Sequence, residues 1–292
     1  MGATARREAS TGALVNGLLT IDVEDWQHAN FQQLDGREEE MRSLAAGTEY
    51  AMDRNTDRWI ELSAAAGVQS TCFVLGEFAE KYPGAVRRLH DAGHEIASHS
   101  YRHDLIYRMT REGFVEQLKR STGALGDLTG EQPLGFRAPS WSVDDARTPW
   151  FCEELASHGF SYDSSEFPVK TNLYGSSTAV LEPRYVGELL RIPVTAVYPL
   201  GRLRVPFLSG AFFRLVPRRL IRLGLRRMVS RGLRPMAILH PRELDPGHPR
   251  LPLKGWEGYV HYARLGSTIP KLESILGEGT WGPIAREFGF RG

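Results

Sequence analysis

His94-Glu95-Ile96-Ala97-Ser98-His99-Ser100-Tyr101-Arg102-His103 begins as an apolar strand and breaks into a turn that leaves two imidazoles four residues apart. One helical turn after Ser98 would set positions 99 and 103 on one face, within reach of a single ion. His-x-x-x-His also arises by chance, with either ring capping a strand or bonding a carbonyl. The pair therefore gains weight only from what the rest of the chain places beside it.

Upstream, Leu18-Leu19-Thr20-Ile21-Asp22-Val23-Glu24-Asp25 reads as a buried strand ending in three carboxylates. Such acids are costly unless paired, solvated or bound to a metal, and a strand end meeting solvent is the plainer alternative. Alternation puts Asp22 and Glu24 on one face; if the strand stops at Val23, Asp25 turns in instead. Further strands are expected at 70–75, 134–137, 160–165, 189–197 and 236–240. Helices are expected at 49–66, from Pro83 to Gly93, after Thr110 with Phe114, Leu118 and Leu125, and at 144–158. No fixed-period repeat or Pro/Gly/Ser-rich linker divides the chain, so it reads as one α/β domain. Asp22, His99, Arg137, Asp163 and His240 all stand at C-terminal strand ends, where a parallel β/α barrel collects its chemistry. A doubly wound open sheet would also place ligands there, but no Gly-rich dinucleotide fingerprint supports one.

Composition is that of an ordinary globular protein: 292 residues, 41% apolar and 24% charged. A formal charge of +1 argues against a general nucleic-acid binder. Cys72 and Cys152 are the only cysteines, and Cys72 sits in an apolar run, so buried thiols are expected and not a disulfide. Residues 1–16 are expected to form a flexible N-terminal segment. They contain no apolar core of signal-peptide length, and no stretch approaches the roughly 20 apolar residues of a membrane span. A cytoplasmic location is the expectation.

Five separated segments resemble the polysaccharide deacetylase family, carbohydrate esterase family four, in the right order. They are Thr20-Ile21-Asp22-Val23-Glu24-Asp25, His99-Ser100-Tyr101-Arg102-His103, Arg137-Ala138-Pro139-Ser140-Trp141, Asp163-Ser164-Ser165 and Leu239-His240. The phrases Asp-Val-Glu-Asp-Trp, Tyr-Asp-Ser-Ser-Glu-Phe-Pro and His240-Pro241-Arg242-Glu243-Leu244-Asp245-Pro246 look like a branch associated with bacterial exopolysaccharide gene clusters. The resemblance implies a distorted parallel β/α barrel of about seven strands, a single catalytic domain over 17–292 with an irregular C-terminal extension from about 242. It also implies a divalent metal, usually zinc, and removal of N-acetyl groups from amino sugars. The family places two Asp side by side in its first motif, whereas Val23 separates Asp22 from Glu24 here, so Glu24 and Asp25 both stand as carboxylate ligands, Glu24 preferred.

An acetamide resists hydrolysis, so the site must supply a nucleophile at neutral pH and a place for negative charge. An ion held by His99, His103 and one carboxylate, with open positions, supplies both. Asp22 is the candidate general base, Arg137 the group that holds it ionised and aimed, and His240 the general acid for the leaving amine. Backbone N–H groups near Ser140 and Trp141 are candidate oxyanion donors. Asp163, Ser140, Trp141 and His28 are expected toward the substrate, although Trp141 also fits a barrel-rim core and His28 a plain surface position.

Between Glu188 and Glu243 there is no acid, while Arg214, Arg218, Arg219, Arg222, Arg226, Arg227, Arg231 and Arg234 fall in a helix-like segment opened by Pro217 and closed by Gly232. A solvated arginine face is the plainer reading. The functional one is a dock for phosphate: a nucleotide-linked sugar, a lipid-linked glycan or an anionic membrane surface. The expected activity is metal-dependent N-deacetylation of a bacterial surface polysaccharide or its precursor. An amidase for a non-sugar amide and a glycan-binding barrel without turnover are the alternatives.

Overall fold

The computed structural model describes residues 15–28, 37–171, 175, 179–197 and 204–290. Positions 1–14 of the expected N-terminal segment lie outside the described residues, and Val15 and Asn16 already belong to the first strand. The strands are β1 (Val15–Val23), β2 (Thr71–Val74), β3 (Glu95–Ser98), β4 (Gly135–Phe136), β5 (Tyr162–Asp163), β6 (Arg184–Val186), β7 (Leu189–Arg191), β8 (Met236–Leu239) and β9 (Gly279–Gly282). Their order is β6-β7-β5-β4-β3-β2-β1-β8, with β9 also on β1. Among these described strands, only the β6–β7 pair is antiparallel. The result is a curled, mostly parallel sheet flanked by helices, the distorted β/α barrel that was expected.

β1 is buried from Gly17 to Val23, as a strand covered on both faces must be, and this is why it reads as a near-continuous apolar run. It pairs with β9 along Val15–Leu18, with β8 along Leu18–Ile21 and with β2 along Thr20–Val23. Gly17 is required: a Cβ there would stand 2.4 Å from the Trp281 ring. The helix Arg111–Thr129 begins as expected, with the Thr110 hydroxyl accepting from Gly113 N–H at 3.1 Å, and it buries Phe114, Leu118, Ser121 and Leu125.

Several elements are shorter than the periodicity implies, each for a local reason. The helix expected at 144–158 runs only over Phe151–Ser157. The Asp144 carboxylate ties up the N–H groups of Ala146 and Arg147, and Pro149 disfavours helix in the residue before it. The strand expected at 189–197 stops at Arg191, two residues before Pro193, which has no N–H to give a ladder. The extension from 242 is not irregular. It forms helices Gly255–Tyr262, Thr268–Leu276 and Ile284–Phe288 and returns β9 to the sheet. Both cysteines are free; burial pushes the Cys72 thiol up to about 12 and Cys152 to about 11. No described helix is long and apolar enough to cross a membrane.

His94, which leads into β3, is buried, and its Nδ1 accepts the Ser70 N–H at 3.1 Å. Burial lowers its pKa to about 4, and a proton on Nδ1 would face that N–H. Because the folded value lies below the unfolded one, the unfolded chain binds the extra proton between about pH 6.5 and 4, and stability falls as pH drops through that window. His94→Asn, which keeps an acceptor but does not titrate, should remove about 3 kcal/mol of that acid dependence. Urea unfolding measured at a series of pH values checks this; an unchanged slope would assign the window elsewhere.

Candidate metal centre

Parallel register gathers the polar residues. Val23 lies opposite Val74, Val74 opposite Ser98, Ser98 opposite Phe136, and Phe136 opposite Asp163. One residue further along, Glu24, His99, Arg137 and Ser164 emerge in one layer. On the other edge Ile21 lies opposite Leu239, so His240 follows level with Asp22. Neighbouring strands ending together on one rim thus make the site, as barrel geometry demands.

One ligand oxygen or nitrogen from each of Glu24, His99 and His103 lies within 4.8 Å of the others, and all three residues are buried. Glu24 Oε2 stands 2.8 Å from His103 Nε2 and 3.9 Å from His99 Nε2. The two imidazoles do not share a helical turn. Ser100 takes a left-handed backbone with φ of 70°, and Gly76 and Glu77 donate backbone hydrogen bonds to the carbonyls of Ser100 and Tyr101. This sharp turn brings the rings to 5.7 Å apart at 67°.

The donor set fits a divalent ion. The Arg137 carbonyl accepts from His99 Nδ1 at 2.8 Å, so the proton is on Nδ1 and Nε2 presents its lone pair. Burial brings His99 down to about 4 against the opposing pull of the Asp22 charge, which keeps the ring neutral. Glu24 Oε2 is a buried carboxylate oxygen with no directed hydrogen bond, while Oε1 accepts from Arg242 Nη1. Burial alone would raise the Glu24 pKa; His103 and Arg242 outweigh it and hold the group well below the usual carboxylate range. The His99 and His103 rings, one ionised carboxylate and a spare oxygen lone pair make a donor set suited to a divalent ion.

Asp22, one strand position pair before Glu24, accepts from Arg137 Nη1 at 2.6 Å. Arg137 is fully buried, donates also to Thr20 Oγ1 at 3.0 Å and Ser164 Oγ at 3.1 Å, and lies 4.0 Å over the Phe73 ring. On the other side, Glu243 is ionised and can only accept, so His240 Nδ1 donates to it at 3.2 Å and leaves Nε2 3.8 Å from Glu24 Oε1. Burial opposes the Glu243 charge, but the His240 hydrogen bond and Arg214, 2.8 Å away, hold its pKa far down.

Other expected site residues sit elsewhere. Asp25 turns away from the imidazoles: Lys81 Nζ lies 2.5 Å from Oδ2, and Oδ1 accepts the Trp26 N–H. His28 is not a surface residue. It is buried, stacks on His103 at 5.1 Å and 7°, and reaches Glu77 at 3.2 Å through Nε2. Asp163 has no exposure; its carboxylate is spent on Arg191 at 3.2 Å and on Ser165. Trp141 is a core residue packed on Phe167 at 4.6 Å, and its backbone N–H donates to Ala138, which removes it as an oxyanion donor. Ser140, at φ 52°, is likewise buried. Arg242, Glu243 and Ser164 were given no role by the sequence reading. His240-Pro241-Arg242-Glu243 does carry a signal, the cap-Pro-x-Glu pattern in which Glu243 reaches back to the His240 N–H at 3.0 Å.

Residues 39–163 match the polysaccharide deacetylase family, and residues 164–288 match a family described as a domain of unknown function (DUF3473). A peptidoglycan deacetylase of Helicobacter pylori is 31% identical over 116 residues, 40% of this chain and 38% of that protein. The peptidoglycan-N-acetylglucosamine deacetylase of Bacillus cereus is 31% identical over 87 residues, 30% of this chain and 32% of that protein. The chain thus spans well under half the length of these curated relatives. A Mycobacterium smegmatis structure described as a polysaccharide deacetylase shares the fold, with TM-score 0.64 and 19% identity over 99% of this chain and 96% of that one.

Glu24→Gln, His99→Ala and His103→Ala should each abolish binding of one divalent ion per chain, whereas Asp25→Asn should keep it. Arg242→Leu should weaken zinc affinity roughly 10- to 100-fold, the usual cost of losing a group that orients a ligand. Calorimetric titration of zinc into the metal-stripped variants measures all five. Full affinity in Glu24→Gln would remove it from the site.

Proposed function

We propose that this chain, residues 39–163 of which match the polysaccharide deacetylase family, is a metal-dependent hydrolase removing N-acetyl groups from amino sugars of a bacterial surface polysaccharide or its precursor. The observation that carries the reading is the flanking of one Glu24/His99/His103 cluster by a buried Asp22–Arg137 pair and a His240–Glu243 pair. The named activities of the relatives, deacetylation of peptidoglycan, support the substrate class. Zinc is the proposed ion, and a lipid- or nucleotide-linked exopolysaccharide precursor the proposed form of the substrate.

When bound, a divalent ion supplies a nucleophile at neutral pH and polarises the amide carbonyl. The remaining work falls to this chain's own groups. Asp22 is the general base, its Oδ1 fixed by Arg137 so that the carboxylate is held in one orientation. His240 is the general acid. Its Nδ1 proton is committed to Glu243, so the proton delivered to the leaving amine comes from Nε2, the nitrogen that faces Glu24. Glu243 stabilises the protonated imidazole before transfer, and Arg214 keeps Glu243 charged.

Asp22→Asn should retain zinc yet lower kcat by about 100- to 10,000-fold, the usual contribution of a positioned general base. His240→Ala should do the same while leaving the Asp22 arm intact. Acetate release from a panel of N-acetylated saccharides and simple acetamides, with zinc content measured in parallel, tests both. Turnover of acetamides alone would make the protein a non-sugar amidase. Saccharide binding without any acetate release would make it a glycan-binding barrel.

A further inference from the structure

The helix Arg218–Val229 has a solvent face that the deacetylation chemistry does not use. Ile221, Gly224, Leu225 and Met228 are buried against the sheet. At 3.6 residues per turn, the opposite face is centred on Arg219, Leu223 and Arg226, with Leu220 and Arg227 beside them. Leu220 is 56% exposed and Leu223 44%. Arg222 pairs with Glu278 at 2.6 Å, and Arg214 is buried on Glu243, so neither is part of a free basic face. Arg218, Arg219, Arg226 and Arg227 form no ion pair among the described residues, and no acid lies in sequence between Glu188 and Glu243.

We propose that this face docks the protein onto an anionic lipid bilayer. Two independent features converge on that occupant. Three guanidinium groups on this face that form no ion pair among the described residues, Arg219, Arg226 and Arg227, with Arg218 at its flank on the first turn, call for a surface dense in phosphate. Leu220 and Leu223, exposed between them, call for hydrocarbon at the same depth, which a headgroup–acyl boundary provides. A free nucleotide offers phosphate but nothing to bury the leucines, and an acidic protein surface would leave them against charge. The anchorage is continuous with the catalytic rim. Arg214, just ahead of the helix, joins Glu243, and Lys271 Nζ is bonded to the carbonyls of Phe213, Arg214 and Val216. Docking through this helix therefore fixes the wall that carries His240 relative to the bilayer. The inference stands apart from the deacetylase reading, since it needs no turnover.

Flotation of the full chain with vesicles of phosphatidylcholine, with or without phosphatidylglycerol, tests it. The wild type should bind only the phosphatidylglycerol vesicles, and added salt should weaken binding. Replacing Arg218, Arg219, Arg226 and Arg227 together by Gln should lower affinity roughly 100-fold or more. Leu220→Ser with Leu223→Ser should lower it about 10-fold while keeping the salt dependence. The fourfold Arg→Lys variant should bind nearly as wild type, and it separates loss of charge from loss of folding. Equal binding to both vesicle types, no binding at low salt, or wild-type binding by either the Gln or the Ser variant would overturn the proposal. Calorimetric binding of a nucleoside diphosphate sugar without vesicle binding would also overturn it, assigning the arginines to a soluble substrate.

Discussion

Arg137 carries a full positive charge in a place that water does not reach, and much of the site is the answer to that constraint. A buried guanidinium is tolerable only if its donors are met, and the sheet meets them from two strand ends: Asp22 and Thr20 on β1, and Ser164 just beyond β5. The same residue turns its carbonyl to His99 and so selects the tautomer of a proposed ligand. The side chain thus fixes the Asp22 carboxylate, and the backbone carbonyl of the same residue aims the His99 imidazole. Loss of Arg137 would leave an unpaired buried carboxylate and a hole beneath the rim together.

The fold was legible where local chemistry is strong. Polar residues at successive strand ends announced the parallel barrel, and Thr110 announced its helix, because both signals are carried by neighbouring residues. What failed to show was long-range. β9 reads Gly-Thr-Trp-Gly, too short and too rich in glycine to look like a strand, and it exists because β1 offers an edge more than two hundred residues earlier in the chain. The choice between Glu24 and Asp25 depended on where β1 ends, and Lys81, contributed by a distant helix, draws Asp25 away. Trp141 and Asp163 looked functional because the motif that contains them is polar and aromatic; in space they are packing and support for their neighbours. His28 was underestimated for the opposite reason, since nothing in its sequence surroundings reveals the stacking on His103.

The boundary between the two matched families does not divide the chemistry. His99, His103 and Arg137 fall in the deacetylase segment, while His240, Arg242 and Glu243 fall in the segment of unknown function, and Asp22 and Glu24 precede both. Arg242 holds one oxygen of Glu24 and leaves the other to the imidazoles, so the later segment shapes the carboxylate of the earlier one. The C-terminal half is best understood as the second wall of one site.

β1 lies at the heart of the sheet yet is completed last. On the ribosome β2 can cover one stretch of its edge early, but the Thr20 hydroxyl waits for the Ala237 carbonyl, 217 residues later, and Val15–Leu18 waits longer still for β9. Until the last fifth of the polypeptide has emerged, an apolar strand with an open ladder edge is presented to the cell. During synthesis β1 therefore depends on shielding until β8 and β9 have emerged to pair with it.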